Sequence, residues 1–416
     1  MITSEKRKIS IFVMNVIIFC FLFFNNVAPH TIFSKIFLFV FIIYSLLFIF
    51  FNKKIYINYY FILYIIFIAF ILIINYFGLF VNSLVVNESI KTLLLNVLFL
   101  FGIYNYLKTY ENLSSISTIY ITSFLFSLIM IMFVNRNSLF TARLAHAWGE
   151  NAVSYYFLGQ PVSMSSNLIG FQCDVSLLLS LYKLYVKKEK KYLIYIIFFI
   201  FGLSLTGSRK AFIIFGIFII FSIFYFSKNK ELIMKIIKLF ILFGIVYFAI
   251  MKIPYFYNMI GKRLQSLINY FSLSIVDEES VSMRNNLRMY ALKMFYRKPF
   301  FGYGLGYFNL KYSNVVENTF LELLVGTGIY GTILYYLYTI PTFFYYIKYR
   351  KNSLILKILC IIMISILITE FGSSIYFERS YIMFVPVFIY TIMYEKKKNN
   401  NLLLISDKSK YESGVI

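Results

Sequence analysis

Apolar runs of roughly 20 residues recur along the whole chain, separated by short polar segments. A helix needs about 20 apolar residues to cross about 30 Å of hydrocarbon. The pattern therefore predicts an all-α polytopic membrane protein of about 12 transmembrane helices. The expected spans are 9–25, 33–51, 57–80, 90–107, 117–134, 167–186, 192–206, 211–227, 234–252, 319–346, 354–371 and 380–394. The first run follows Lys6, Arg7 and Lys8, but no A-x-A-like cleavage site comes after it, so it reads as a retained helix. No tandem repeat or long linker divides the chain, and residues 1–416 read as a single membrane domain with a loose tail after about 396.

Composition closes off the soluble alternative. The chain is 61% hydrophobic, 21% aromatic and only 14% charged, with a mean hydropathy of +0.78. A soluble domain of this size has too little polar surface to cover that much apolar area. The net charge of +23 invites a nucleic-acid reading, yet the basic residues sit in short clusters between apolar runs. That is how orientation is encoded in membrane proteins, so no nucleic-acid partner is expected. With the N-terminus inside, the inner segments carry 24 of the 40 basic residues and both termini are cytoplasmic. Cys20, Cys173 and Cys360 lie far apart within apolar runs and read as buried structural thiols.

The arginines break the lysine pattern. Eight of the ten, including Arg136, Arg143, Arg209, Arg284, Arg288 and Arg379, fall on the opposite side from the lysine-rich face. Lysine suffices as a topogenic point charge, whereas arginine grips oxyanions in a bidentate fork. An anionic ligand on that face explains the bias; contact with lipid headgroups is the plainer alternative. Two outer loops are long. Residues 135–166 contain Arg143, His146, Trp148 and Glu150. Residues 253–318 form a large, partly helical extracytoplasmic loop. In it Ile260, Leu264, Leu267, Ile268 and Phe271 share the face of an amphipathic helix. A second helix runs from Ser282 to about Arg297 and ends before Pro299. Arg284 and Arg288 are four apart and point the same way.

Four clusters then occur in order: Asn167-Leu-Ile-Gly; Thr206-Gly-Ser-Arg209; Arg284 through Pro299 to Gly302-x-Gly304-x-Gly306; and Glu317-Asn-Thr-Phe-Leu321. From about 140 to 345 this series resembles the Wzy-type polysaccharide polymerases and O-antigen ligases. Thr206–Arg209 is similar to the family's S-G-S-R turn. Glu317–Leu321 is similar to its His-Asn-x-x-Leu opening, with Glu317 where many relatives carry histidine. The resemblance implies a GT-C-like fold in a bacterial inner (plasma) membrane. It also implies extension of an O-antigen, capsule or exopolysaccharide. An undecaprenyl-diphosphate-linked oligosaccharide would be both donor and acceptor, with membrane lipids and a chain-length regulator as further partners.

The chemistry of such a transfer points to particular residues. A diphosphate leaving group gains negative charge as the glycosidic bond breaks, so fixed cations would stabilise the transition state. Arg209, Arg284, Arg288 and Arg143 are the candidate diphosphate ligands. No Asp-x-Asp or histidine cluster offers a metal site, and neither metal nor cofactor is expected. The acceptor hydroxyl needs a base, for which Glu317 is the first candidate and Asp174 the second. Asn318, Asn167 and His146 complete the candidate site.

Each candidate has a structural alternative. Arg209 could snorkel to headgroups. Arg284 and Arg288 could pair with Asp277, Glu278 or Glu279. Glu317 could favour a helix N-terminus by its charge, and Asn318 could cap it. Asp174 could be ion-paired with Arg209. The alternate glycines suit tight turns better than a phosphate cradle. Among functions, a repeat-unit polymerase leads, an O-antigen ligase is its close rival, and a polysaccharide flippase is the alternative of another class.

Overall fold

The computed structural model describes residues 4–29, 31–110, 113–136, 155–157, 159–162, 166–226, 279–350 and 353–412, with isolated positions between 227 and 278. In chain order the helices are α1 (Ser4–Val27), α2 (Ile32–Asn52), α3 (Tyr59–Tyr76), α4 (Ser83–Tyr110) and α5 (Leu113–Val134). A hairpin of β1 (Tyr155–Phe157) and β2 (Gln160–Val162) follows, then α6 (Ser166–Val186), α7 (Tyr192–Thr206) and α8 (Arg209–Phe226). The remainder comprises α9 (Glu279–Arg297), α10 (Tyr307–Tyr312), α11 (Thr319–Tyr336), α12 (Thr339–Tyr349), α13 (Leu354–Glu370), α14 (Arg379–Ile382) and α15 (Phe384–Glu412).

The protein is an all-α polytopic membrane protein, with that short hairpin as the one exception among the described residues. By length and composition alone, seven helical stretches among the described residues can cross a membrane, Thr319–Tyr349 counted as one, and Tyr192–Thr206 and Lys210–Phe221 are shorter apolar helices. Eleven of the 12 expected spans fall on helices. The other, 234–252, lies mostly outside the described residues, as does the amphipathic helix expected over 259–271.

Helix α3 shows why the sequence demands a lipid solvent. Phe61, Tyr64, Ile68, Ile71 and Ile74 are buried at helical spacing, yet Ile62, Ile65, Ile66, Leu72 and Ile73 on the opposite face are exposed. A helix in water would carry polar residues on that second face.

The chain divides into two compact units, Met1–Phe41 with Ser114–Val281, and Ile42–Leu113 with Ser282–Ile416. In the first, α6 packs against α7 and α8. A Cβ added at Gly170 would lie 2.5 Å from Ala211 Cβ, and one at Gly202 would lie 2.5 Å from Leu128 Cδ2. These glycines let the helices approach closely, as small residues do in membrane bundles. Gln172 Nε2 donates to Asn26 Oδ1 at 2.8 Å, and Lys183 Nζ donates to Ser114 Oγ at 2.7 Å and to its carbonyl at 3.2 Å. These bonds satisfy polar groups that would be costly unpaired among apolar helices.

In the second unit α3 packs on α4 and α11, while α15 packs on α4, α12 and α13. Asn58 caps α3, and Asn105 brackets Tyr56 by accepting from its N–H at 2.8 Å and donating to its carbonyl at 3.2 Å. Here one expectation changes. The run 319–346 reads as a single span, but its helix breaks at Gly328, where φ is 67° and ψ is −169°. Phe320 and Tyr336 have ring centroids 6.3 Å apart, whereas a straight helix would separate those positions by about 24 Å. The two halves of α11 therefore fold toward each other, and the first half does not continue the span formed by the second.

Candidate functional site

In the second unit the candidate residues gather around that break. Leu287, Ala291 and Met294 recur at helical spacing on α9 and pack with Phe308, Val316 and Val325. This fixes the helix in rotation and sets Arg284 and Arg288 on successive turns. The helix ends at Arg297, and Pro299 begins a turn built on Gly302, Gly304 and Gly306, all with positive φ. The turn is stitched to α11: Tyr303 N–H donates to Val325 O at 2.9 Å, Gly304 N–H to Gly326 O at 2.8 Å, and Ile329 N–H to Pro299 O at 2.8 Å. A Cβ at Gly302 would lie 2.6 Å from the Gly326 carbonyl carbon. The glycines thus serve a tight turn and a close backbone approach.

This arrangement brings two residues nominated by sequence into contact. Arg284 Nε donates to Glu317 Oε2 at 2.7 Å, with the two side chains 43% and 36% exposed. That partner is 33 positions away in sequence, and the side chains of Asp277, Glu278 and Glu279, the alternative partners, lie outside the described residues. Glu317 itself has φ of 52°, the left-handed region, which costs a residue with a Cβ about 1–2 kcal/mol. It is held there between fully buried Val316 and the cap that follows. Arg288 has its Nε buried without a hydrogen-bond partner among the described residues.

Asn318 is the N-cap of α11. Its Oδ1 accepts from Leu321 N–H at 2.9 Å, and its Nδ2 donates to Phe371 O at 3.0 Å. The same helical turn grips residues 371–378. Thr319 Oγ1 donates to Ser373 O at 2.8 Å and accepts from Ile375 N–H at 2.9 Å; Tyr376 OH donates to Glu322 Oε1 at 3.1 Å. Burial, and after it the negative charge of Glu322, pushes the Tyr376 phenol well above its usual range, so it stays the donor. Sequence reasoning assigned no role to Glu322 or Tyr376. The available signal was a carboxylate inside an apolar run, which by itself marks a functional candidate.

The first unit holds the other group. The turn Thr206–Arg209 joins α7 to α8 through Gly207, at φ 55°. Ser208 Oγ accepts from Ala211 N–H at 3.3 Å, capping α8, and donates to Asn167 Oδ1 at 2.7 Å, tying the turn to the start of α6. Arg209 is the first residue of α8, and its side chain lies outside the described residues. Asp174 is 0% exposed, and neither carboxylate oxygen has a hydrogen-bond partner among the described residues. Arg143 and His146 also lie outside the described residues. Arg284, Arg288, Glu317 and Asn318 are thus together in one unit, and Asn167, Asp174 and the Arg209 backbone in the other.

Residues 194–336 match the family model described as O-antigen ligase. That interval runs from α7 to the end of α11 and contains the Thr206–Arg209 turn, Arg284, Arg288, Glu317 and Asn318. No curated protein matches the chain. The family match over residues 194–336 supports membership of the O-antigen polymerase/ligase superfamily.

Proposed function

We propose that the protein is a membrane glycosyltransferase that polymerises oligosaccharide repeat units carried on undecaprenyl diphosphate. The observation that carries this reading is the Arg284–Glu317 pair at the head of α11, inside the family interval. A half-exposed ion pair is worth only about 0.2–1 kcal/mol, so an incoming diphosphate can draw Arg284 away from Glu317 at little cost. The exchange arms both groups at once. The guanidinium neutralises the leaving group, and the released carboxylate is free to accept a proton.

In the reaction, the acceptor's hydroxyl oxygen attacks the anomeric carbon of the donor glycan. The bond from that carbon to the diphosphate oxygen breaks, and its electron pair leaves with undecaprenyl diphosphate. The hydroxyl proton passes to Glu317. Arg284 and Arg288 stabilise the charge growing on the phosphates. Asn318 holds the first turn of α11 and so fixes where Glu317 stands.

The family description favours a second reading, in which the same site hands a finished glycan to a different acceptor as an O-antigen ligase. One experiment separates the two. Purified protein is incubated with a lipid-linked repeat unit alone, and the products are resolved on a gel. A polymerase makes a ladder. A single unchanged band, converted only when a lipid A core acceptor is added, replaces polymerase by ligase. No transfer to either acceptor removes both.

A further inference from the structure

Helix α9 has a second face besides the one it packs on the core. Leu287, Ala291 and Met294 are buried. On the opposite side Met289, Lys293 and Tyr296, at i, i+4 and i+7, are exposed, with exposed Tyr290 and Arg297 beside them. Tyr296 is 75% exposed. Between positions 280 and 316 the chain carries six cations and no acid. Neither Lys293 nor Arg297 joins an ion pair among the described residues.

The turn that follows α9 fixes where this face stands relative to the hydrocarbon. The Phe301 ring lies 6.4 Å from that of Phe70 and 5.7 Å from that of Tyr330. Phe70 is six residues before the end of α3 at Tyr76, about 9 Å down the helix axis. Lys298 Nζ donates to Leu79 O at 3.3 Å, and Val81 N–H donates to Tyr303 O at 3.1 Å, so the same turn is tied to the loop between α3 and α4. The end of α9 is therefore held where α3 leaves the hydrocarbon, with Phe300 and Phe301 exposed beside it.

A face turned to water would carry polar groups in place of Met289, Tyr290 and Tyr296. One turned to hydrocarbon would not carry Lys293 and Arg297. The membrane interface suits both sets. Tyrosine keeps its ring among acyl carbons and its hydroxyl among headgroups, and basic side chains meet lipid phosphates there. Positive charge without any acid favours anionic headgroups over zwitterionic ones, which bring an ammonium group with each phosphate.

We propose that the exposed face of α9, formed by Met289, Tyr290, Lys293, Tyr296 and Arg297, docks on anionic lipid headgroups of the leaflet at which α3 ends. The docking goes beyond the glycosyltransferase reading and does not depend on it. Its consequence for that reading is one of position. Arg284 and Arg288 lie on the same helix, so the lipid surface sets the height of both guanidinium groups.

Trp148 is the single tryptophan of the chain, so Tyr296→Trp in a Trp148→Phe background places one fluorescent reporter on the face. The full-length protein is reconstituted in vesicles of phosphatidylcholine and phosphatidylglycerol at equal mole fractions, with one lipid brominated at a time. Brominated phosphatidylglycerol should quench the reporter more than brominated phosphatidylcholine, and aqueous iodide should quench it weakly. Adding Lys293→Gln or Arg297→Gln should reduce that preference about five-fold, the worth of one basic residue at an anionic surface. Lys293→Arg should keep it, which separates charge from local structure.

Equal quenching by the two lipids overturns the proposal. So does strong quenching by iodide with none from either lipid, which puts the face in water. A reporter quenched by phosphatidylglycerol in a protein that never makes a ladder leaves the docking standing and removes the polymerase reading.

Discussion

Replacing Gly328 by alanine tests whether the break in α11 builds the site. The residue sits at φ 67° and ψ −169°, a region used almost solely by glycine, and holding alanine there costs about 1–3 kcal/mol. The added Cβ would overlap the Phe300 carbonyl group and lie 2.6 Å from Phe301 N. Both are backbone, so no side chain can swing aside, and overpacking adds about 1–3 kcal/mol. Relief by moving the turn would sacrifice bonds from Ile329 N–H to Pro299 O at 2.8 Å and from Tyr303 N–H to Val325 O at 2.9 Å, each worth about 0.5–1.5 kcal/mol. The sum is about 2–6 kcal/mol, enough to lower the melting temperature by several degrees and to separate Glu317 from Arg284. Gly216→Ala is the control, since its Cβ would meet nothing within 4 Å and alanine favours the helix. The assays are thermal unfolding in detergent and the product ladder. A Gly328→Ala protein with wild-type melting temperature and chain length would refute the reasoning.

The remaining predictions separate chemistry from support. Glu317→Gly should release backbone strain of about 1–2 kcal/mol and melt no lower than wild type, yet make no ladder. Glu317→Gln should also be inactive across pH, and full activity in it would move the base elsewhere. Tyr376→Phe strips a hydrogen-bond donor from buried Glu322 and should cost about 1–3 kcal/mol in thermal unfolding, with a shorter ladder; unchanged stability would mean that this bond contributes nothing. Asp174→Asn should leave the ladder intact and the melting temperature equal or higher, because the carboxylate is fully buried without a hydrogen-bond partner among the described residues. Loss of product at unchanged stability would return Asp174 to the chemistry.

What was legible in the sequence follows the range of the interactions involved. Spans were readable because hydrocarbon imposes a length and composition on each helix separately, as in α3, apolar on both its buried and its exposed faces. The Thr206–Arg209 turn was readable because Gly207 and Ser208 act within a few residues of themselves. The Arg284–Glu317 contact was half legible. Each residue could be nominated by its charge in an apolar setting, but their pairing depends on a helix, a glycine turn and a second helix all closing on one another. The break at Gly328 was not legible, since glycine is ordinary in membrane helices and only the approach of the Phe300 backbone forces this one open. Glu322 is the most instructive case. A carboxylate within an apolar run announces that it needs a partner, but that partner, Tyr376, lies 54 positions away on a loop of no evident character. The cost of burying the acid is local, while the group that offsets it is not. A functional search in such a chain therefore does best to begin from the charges the apolar runs cannot tolerate, and then to ask which loop supplies the missing hydrogen bond.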